Sequence, residues 1–597
     1  MKKNIVFLLI DCFDYNKIGS NQFRESPSPF LDELKTRSYW CEKMYSSAPY
    51  TEAALISTIC GYDTLDHGGH LKRYKDCPET LYEMMQRAGY FVYAQMWTHF
   101  YPSSALRGLD EYHLRPYNIK QLWSYRFCYY SGLYKNNKLY DQDYENLEDI
   151  LRDNFNHIKS YYEMLVNHDE RVDIILNNMK LPDIGEEINK LEIEIRSFNE
   201  NPKLYIQSIF DQGESHKLFS LYDKECLDYK IPDEFKYRIY SKYHSLGEKI
   251  YKLNNSLNRK NCQFSWRQFH KYWELSSFKQ GNITRSEIGQ YLRNLIHVAK
   301  YKELKNKFGI NYPLQKDCIS VRSMMNIFLE WEKKRKNKDK PFFAYIHSDD
   351  IHGQSEIFDI CSVDEKEIDS QVNEIKDYLK KLPNNYQGNL GYDLGILNVD
   401  RQIKWFFQQL ESNKMLDNTI VIITADHGCG QTYNPIRGLV QNFHDECYHI
   451  PFMIYDKSKE GIIDSDLHLS KDIMATLADL VDVEQPKSCT GVSILSGLKR
   501  SFLLQEYMGP GCPDIYRRPI WMCAFDKEWK VFIKVRLNQS SFKYDLYELY
   551  HISEDPLELK NLSHNKKAVY STQYLINELN KRWNDLRTEY PEVNEYE

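Results

Sequence analysis

Long apolar runs near both ends of the chain have the length of strands, and polar or charged residues follow each of them at once. These runs lie at residues 4–11, 90–97, 341–350 and 418–428. They do not alternate between apolar and polar positions, and stretches of helical spacing separate them, which indicates a parallel sheet covered on both faces. We therefore predict an α/β fold with a central, mostly parallel sheet flanked by helices.

The pattern changes twice along the chain. Between about 116 and 340 the sequence is rich in Tyr, Lys, Asn and Glu at helical spacing, which predicts a helical insertion. After residue 500 short strand-like runs return and precede a helix at about 566–588, which predicts a small C-terminal α+β subdomain with an antiparallel sheet. The predicted organisation is a catalytic domain in two parts, 1–115 and 341–495, with an insertion at 116–340 and a C-terminal subdomain at 496–597.

Composition narrows the class of protein. With 597 residues, 42% hydrophobic residues and a net charge of −7, the chain is expected to be globular and to have no general attraction to nucleic acid or anionic membranes. The first apolar run is short and ends in an aspartate, so we interpret it as a strand and not as a signal peptide. No apolar segment approaches the roughly 18 residues that a membrane span needs. We expect a cytoplasmic protein, whose fourteen scattered cysteines are free thiols.

Candidate catalytic side chains follow the predicted strands. In parallel sheets, ligands bind beyond the carboxyl ends of the strands. The residues at these positions are Asp11, His347, Asp349, Asp350, Asp426 and His427. Oxygen and nitrogen ligands of this kind suit a divalent metal ion, although an isolated Asp-His-Gly sequence also fits a capping aspartate beside a structural histidine.

Thr51 begins the stretch "TEAALISTIC", which has the pattern of an amphipathic helix. A threonine at this position is explained by helix capping alone. The same position also lies beside unpaired N–H groups that attract a phosphate or sulfate, and a metal ion there would lower the pKa of the hydroxyl enough to make it a nucleophile.

Several motifs in order along the chain resemble the sulfatase family of the alkaline-phosphatase superfamily. They are "NIVFLLID", "APYTEAALISTICGYDTLDHG", "LRGLDEYH", the helix and strand that end in "TIVIITADHG", and "ELYHISEDPLELKNL". The resemblance implies that Asp11, Thr51, Asp426 and His427 bind one divalent cation, and that Thr51 is the nucleophile. Zinc or manganese is preferred because a histidine joins the oxygen ligands, and calcium is the alternative.

Departures from the family pattern bear on the substrate. Sulfate-ester hydrolases of this family carry a Cys or Ser, matured to formylglycine, in a Cys/Ser-x-Pro-x-Arg motif, whereas this chain has Thr51 followed by "EAAL". Cys12 replaces the aspartate that usually follows the first, and the lysine of the "GKWH" segment is missing from "QMWTH". An unmodified threonine resembles the phosphoester branch, in which a phospho-threonine forms and is then cleaved.

Further histidines are candidates for binding and proton transfer. His347 and His352 resemble the His-x4-His-Gly segment of phosphoethanolamine transferases, and His444 follows His427 by seventeen residues. We predict that His352 and His444 are catalytic, and that with Asp349 they form a possible second metal site. The predicted substrate-binding residues are His347, His99 and His67.

The sequence thus predicts a metal-dependent hydrolase that cleaves a phosphomonoester or phosphodiester in a small-molecule or glycan-linked anionic substrate. One alternative is a sulfatase that acts without formylglycine. The other is a degenerate, non-catalytic member whose helical insertion binds a partner.

Overall fold

The computed structural model describes residues 2–20, 25–68, 78–97, 107–115, 127–166, 184–221, 321–352, 365–383, 386, 390–429, 443–508, 515 and 517–591. Strands in this part of the chain are, in order, β1 Asn4–Ile10, β2 Tyr39–Cys41, β3 Met44–Tyr45, β4 Phe91–Trp97, β5 Glu111–Arg115, β6 Phe342–Ser348, β7 Thr419–Thr424, β8 Phe452–Tyr455, β9 Ile462–Asp464, β10 His468–Leu469, β11 Leu503–Tyr507, β12 Ile520–Phe525, β13 Trp529–Val535 and β14 Tyr544–His551. The α-helices are Pro29–Lys35, Thr51–Cys60, Leu81–Arg87, Cys128–Lys135, Asp141–Val166, Ile184–Glu200, Pro202–Gln212, Val321–Lys334, Glu365–Lys381, Leu390–Ser412, Asp445–Tyr448, Asp472–Val481, Lys566–Ser571 and Gln573–Glu589.

The main sheet has the strand order β5-β4-β6-β1-β7-β8-β2-β9. Strand β1 lies in the middle and pairs in parallel with β6 and β7. Every residue from Ile5 to Ile10 is fully buried, which explains why the strand is apolar throughout and not alternating. Only β8 runs antiparallel to its neighbours. The predicted α/β class and mostly parallel sheet are therefore confirmed.

Described residues of the predicted insertion include the helices Cys128–Lys135, Asp141–Val166, Ile184–Glu200 and Pro202–Gln212, while 116–126, 167–183 and 222–320 lie outside the described residues. The last helix of that segment, Val321–Lys334, packs directly on the main sheet. Its Trp331 stacks on Tyr93 of β4 with ring centroids 4.3 Å apart. This helix therefore belongs to the core of the catalytic domain.

The C-terminal sheet is antiparallel, in the order β11-β12-β13-β14, as the sequence predicts. The prediction of one helix at 566–588 is wrong, because one helix ends at Ser571 and a second begins at Gln573. Between them the buried Thr572 hydroxyl bonds to the carbonyl oxygens of Ala568 and Val569. Such a local side-chain bond competes with helix continuation. Among the described residues, the helices are all too short or too polar to cross a bilayer.

Candidate active site

The ends of β1 and β7 bring Asp11, Asp426 and His427 together. These two strands are adjacent, with Leu9 opposite Thr424, so the residues that follow them emerge at the same edge of the sheet. Asp11 and Asp426 are fully buried and His427 is 3% exposed. The structure therefore brings these three strand-end side chains close together.

Thr51 reaches the same place from the helix Thr51–Cys60. Its hydroxyl Oγ1 lies 3.3 Å from Asp11 Oδ2, to which it donates, and 3.3 Å from His427 Nε2. The interpretation of Thr51 as the helix cap is wrong, since Tyr50 occupies the capping position and Thr51 is the first helical residue. The helix ends at Cys60, and the residue that follows it, Gly61, has a φ of 72°, which favours glycine.

One ring nitrogen of His427 has a defined role in this arrangement. Its Nδ1 lies 2.7 Å from the carbonyl oxygen of Gly428, and a carbonyl only accepts hydrogen bonds, so Nδ1 donates to it. The other ring nitrogen, Nε2, lies 3.5 Å from Asp11 Oδ1 and 3.6 Å from Asp426 Oδ2. An unprotonated Nε2 and these two carboxylate oxygens are ligand atoms of the kind that a divalent metal ion takes.

The two carboxylates of the group are also consistent with metal binding. Asp426 Oδ1 accepts from the backbone N–H groups of Cys12 and His427, but Asp426 Oδ2 and Asp11 Oδ1 have no hydrogen-bond partner among the described residues. Burial, and next the charge of Asp426, raise the pKa of Asp11 well above its ordinary value, with His427 opposing. Two oxygens, an imidazole nitrogen and a hydroxyl fit a divalent metal ion.

His347 and Cys12 border this group of four. His347, in β6, is fully buried, and its Nε2 lies 3.9 Å from Asp11 Oδ2, so Asp11, His347 and Asp426 also form a group with metal-ligand spacing. Cys12 has a φ of 64°, and its Sγ lies 3.8 Å from His427 Nδ1. His347 was predicted to bind substrate, and in the structure its Nε2 faces the carboxylate of Asp11 from β6.

A family model described as Sulfatase matches residues 3–168 and 248–483, which is more than half of the chain. The chain belongs to the sulfatase family. The matched residues include Asp11, Thr51, Asp426 and His427, so the sulfatase-family match and the geometry converge on one site.

Sulfatases are also found among individual relatives. The chain is 27% identical over 181 residues to a Delta 4,5-hexuronate-2-O-sulfatase of Bacteroides thetaiotaomicron, covering 28% of this chain and 35% of the relative. It is 27% identical over 201 residues to a choline-sulfatase of Rhizobium meliloti, covering 31% and 33%. The chain thus spans about a third of the length of these curated relatives.

Among solved structures, a phosphonate monoester hydrolase of Agrobacterium radiobacter is similar over 98% of this chain and 96% of its own, with 12% identity and a TM-score of 0.48. A likeness at this level is not informative about activity.

His444 lies in a different environment from the four sulfatase-family residues. Its Nδ1 is 2.7 Å from Glu558 and its Nε2 is 3.1 Å from Glu548, so both ring nitrogens face carboxylates of the C-terminal subdomain. Glu558 orients the ring of His444, while the neighbouring Asp445 pairs with Lys530.

The other predicted residues are dispersed. His352 is exposed in the turn after β6, where its N–H donates to the carbonyl of Asp349 at 3.0 Å. His67 is also exposed and packs edge-on against Tyr62. His99 lies outside the described residues. Within the described part of the chain, the groups with metal-ligand spacing do not include His352, His444 or Asp349, so a second metal site there stays a prediction.

Sequence reasoning missed the close packing around Gly428. A Cβ at this position would lie 2.4 Å from the carbonyl oxygen of Glu446, which is backbone and cannot yield easily. The glycine therefore lets the turn that carries Asp426 and His427 approach the next segment. The position of Gly428 directly after Asp426 and His427 is the sequence feature that could have indicated this close packing.

Proposed function

We propose that this sulfatase-family protein is a metal-dependent hydrolase that cleaves a phosphomonoester or phosphodiester with Thr51 as the nucleophile. The proposed substrates are small-molecule or glycan-linked anionic esters. One observation carries the proposal: the hydroxyl of Thr51, which the formylglycine route cannot use, lies 3.3 Å from both Asp11 and His427.

Asp11, Thr51, Asp426 and His427 would hold the divalent ion, whose charge would acidify the hydroxyl and neutralise the ester oxygens. Thr51 Oγ1 attacks phosphorus as the bond from phosphorus to the ester oxygen breaks, which gives a phospho-threonine and frees the alcohol. Asp11 Oδ2 already accepts a hydrogen bond from Thr51 and is in place for its proton. Water then cleaves the phospho-threonine and releases phosphate or a phosphomonoester.

The helix Thr51–Cys60 contributes in a second way. N–H groups in the first turn of a helix have no partners within it, and the positive end of the helix dipole lies there. These donors are positioned to stabilise the oxygens of the attacked group as their charge develops.

Proton donation to the leaving alcohol is assigned to His352 ahead of His444. His352 is exposed at the end of β6, whereas both ring nitrogens of His444 already face carboxylates. A second metal ion bound with help from Asp349 remains part of the proposal.

Sulfate esters are the second candidate substrates, because the relatives named above are sulfatases. One experiment distinguishes phosphate esters from sulfate esters as substrates. Purified protein is supplied with zinc, manganese or calcium and offered phosphomonoesters, phosphodiesters and sulfate esters. We expect phosphate-ester cleavage and, after rapid acid quenching, a phosphoryl group on the peptide that contains Thr51.

The test variant is Thr51→Ala, which should lose the activity. Its matched control is Thr58→Ala, on the same helix, where the buried hydroxyl bonds only to the carbonyl of Ala54 among the described contacts. Thr51→Ser should retain measurable activity. Sulfate release without any phosphate-ester cleavage contradicts the phosphoester proposal, and failure to turn over any ester class favours a non-catalytic binding protein.

A further inference from the structure

A second group of metal-ligating side chains lies at the β2 and β9 edge of the main sheet, and it consists of Cys41, Asp464 and His468. Strands β2 and β9 are parallel, and Cys41 stands directly opposite Asp464 in register. Residues opposite each other in a parallel pair project from the same face of the sheet. The turn after β9 then brings His468 back, and its Nε2 lies 2.9 Å from Asp464 Oδ2.

One potential ligand atom from each of these residues lies within 4.8 Å of the other two. Cys41 is fully buried, His468 is 3% exposed, and the carboxylate of Asp464 keeps partial contact with solvent. We propose that Cys41, Asp464 and His468 bind a zinc ion, with water as the fourth ligand.

The chemical types of these three side chains favour zinc over other divalent ions. Thiolate, imidazole and carboxylate are the usual protein ligands of zinc, whereas calcium and magnesium take oxygen ligands. Nitrogen and oxygen ligands of a tetrahedral zinc ion lie about 3.3 Å apart, given bonds of roughly 2.0 to 2.1 Å. The observed 2.9 Å between His468 and Asp464 needs only a small opening of the pair.

Neighbouring groups hold the carboxylate in place. Tyr39 OH donates to Asp464 Oδ2 at 2.8 Å, and the backbone N–H of Asp466 donates to Oδ1 at 2.9 Å. Hydrogen bonds of this kind orient metal ligands and adjust their basicity. Burial, and then the nearby Asp464, raise the pKa of the Cys41 thiol. Zinc binding therefore forms a zinc–sulfur bond and releases the thiol proton to solvent, and the proton shared between His468 Nε2 and Asp464 Oδ2 must also leave these two atoms.

The position of the group suggests a structural role. His468 begins β10, which pairs with β3, and the chain runs from β3 through Ser47 to Thr51. Ser47 N donates to Ser470 Oγ at 3.0 Å. A zinc ion here would tie β2, β9 and β10 together beside the segment that leads to the nucleophile.

The test is the zinc content of the full-length protein after equilibrium dialysis. We expect Cys41→Ser and His468→Gln each to lose one zinc per chain relative to wild type. Glutamine can still donate to Asp464, which preserves the fold, and Cys523→Ser is the control because Cys523 is a buried thiol in β12 outside every described ligand group. Equal zinc content in wild type and both variants overturns the proposal.

Cobalt spectroscopy gives a readout independent of activity. In a Cys12→Ser background, cobalt-loaded protein should show a thiolate-to-cobalt charge-transfer band that Cys41→Ser removes and Cys523→Ser retains. The wild-type spectrum requires no substitution and keeps both Cys12 and Cys41, so the lack of any thiolate band in it contradicts the site even if a variant misfolds. Ester hydrolysis by Thr51 is scored separately, so either proposal can fail alone.

Discussion

Replacing Glu558 by glutamine tests the buried charges that join the C-terminal sheet to the segment before β8. Glu558 Oε1 lies 2.8 Å from Lys530 Nζ, and Oε2 lies 2.7 Å from His444 Nδ1. Lys530 is fully buried and Glu558 is 2% exposed. Glutamine keeps the shape of the side chain but removes the charge that balances the lysine.

The expected loss in the free energy of unfolding follows from the pKa of the Glu558 carboxyl. Burial alone would raise it, but attraction to Lys530 and the hydrogen bond from His444 outweigh burial and lower the pKa from 4.5 to about 2. Because the folded-state pKa lies below the unfolded value, the stabilisation is complete above the unfolded pKa and is lost as pH falls through the folded one. A shift of this size corresponds to about 3 kcal/mol at neutral pH.

Denaturant unfolding, followed by tryptophan fluorescence, measures the free energy of unfolding of wild type and Glu558→Gln. We expect Glu558→Gln to lower the free energy of unfolding by about 3 kcal/mol near pH 7, and the gap to wild type to shrink as the wild-type carboxyl protonates. Glu554→Gln is the control, since that side chain is 80% exposed and its loss should cost under about 0.5 kcal/mol. A gap below about 1 kcal/mol at neutral pH, or one that does not change toward acid, would refute the reasoning.

Three other outcomes are expected. Gly428→Ala should weaken metal binding and lower the free energy of unfolding by about 1 to 3 kcal/mol, since its Cβ meets the Glu446 backbone at 2.4 Å; an unchanged metal affinity in titration calorimetry would contradict this. Lys17→Met should cost about 3 to 5 kcal/mol because it strands the buried Asp393, 2.7 Å away, and adding Asp393→Asn should recover part of that loss in unfolding experiments. Manganese, which the thiolate site at Cys41 does not favour, should at about a hundred times its Kd stabilise the protein by about 2.7 kcal/mol, an effect that a chelator reverses and Asp426→Asn abolishes in thermal scans.

The sequence was most informative where one physical rule decides the outcome. A continuous apolar run is stable only as a strand buried on both faces, so β1 and β7 and the strand-end residues Asp11, Asp426 and His427 could be placed together in advance. The family resemblance, and not a local rule, predicted the helix before β7, which the structure has at Leu390–Ser412.

Other features depend on contacts between distant segments. Glu558 reaches His444 from 114 positions along the chain, and neither residue type reveals that pairing. Cys41 and Asp464 meet only because β9 pairs with β2, an adjacency that local patterns do not specify. Thr51 looked like a cap because caps and nucleophiles favour the same residue types, and only its contacts in the folded chain separate the two roles.

The most direct test of the central claim compares kcat/KM for one phosphate ester between Thr51→Ala and Thr58→Ala, each loaded with the same divalent ion. Removing a nucleophile commonly costs about a thousand-fold or more, so we expect at least that loss for Thr51→Ala and a value near wild type for Thr58→Ala. Undiminished hydrolysis by Thr51→Ala would contradict the assignment of Thr51 as the nucleophile.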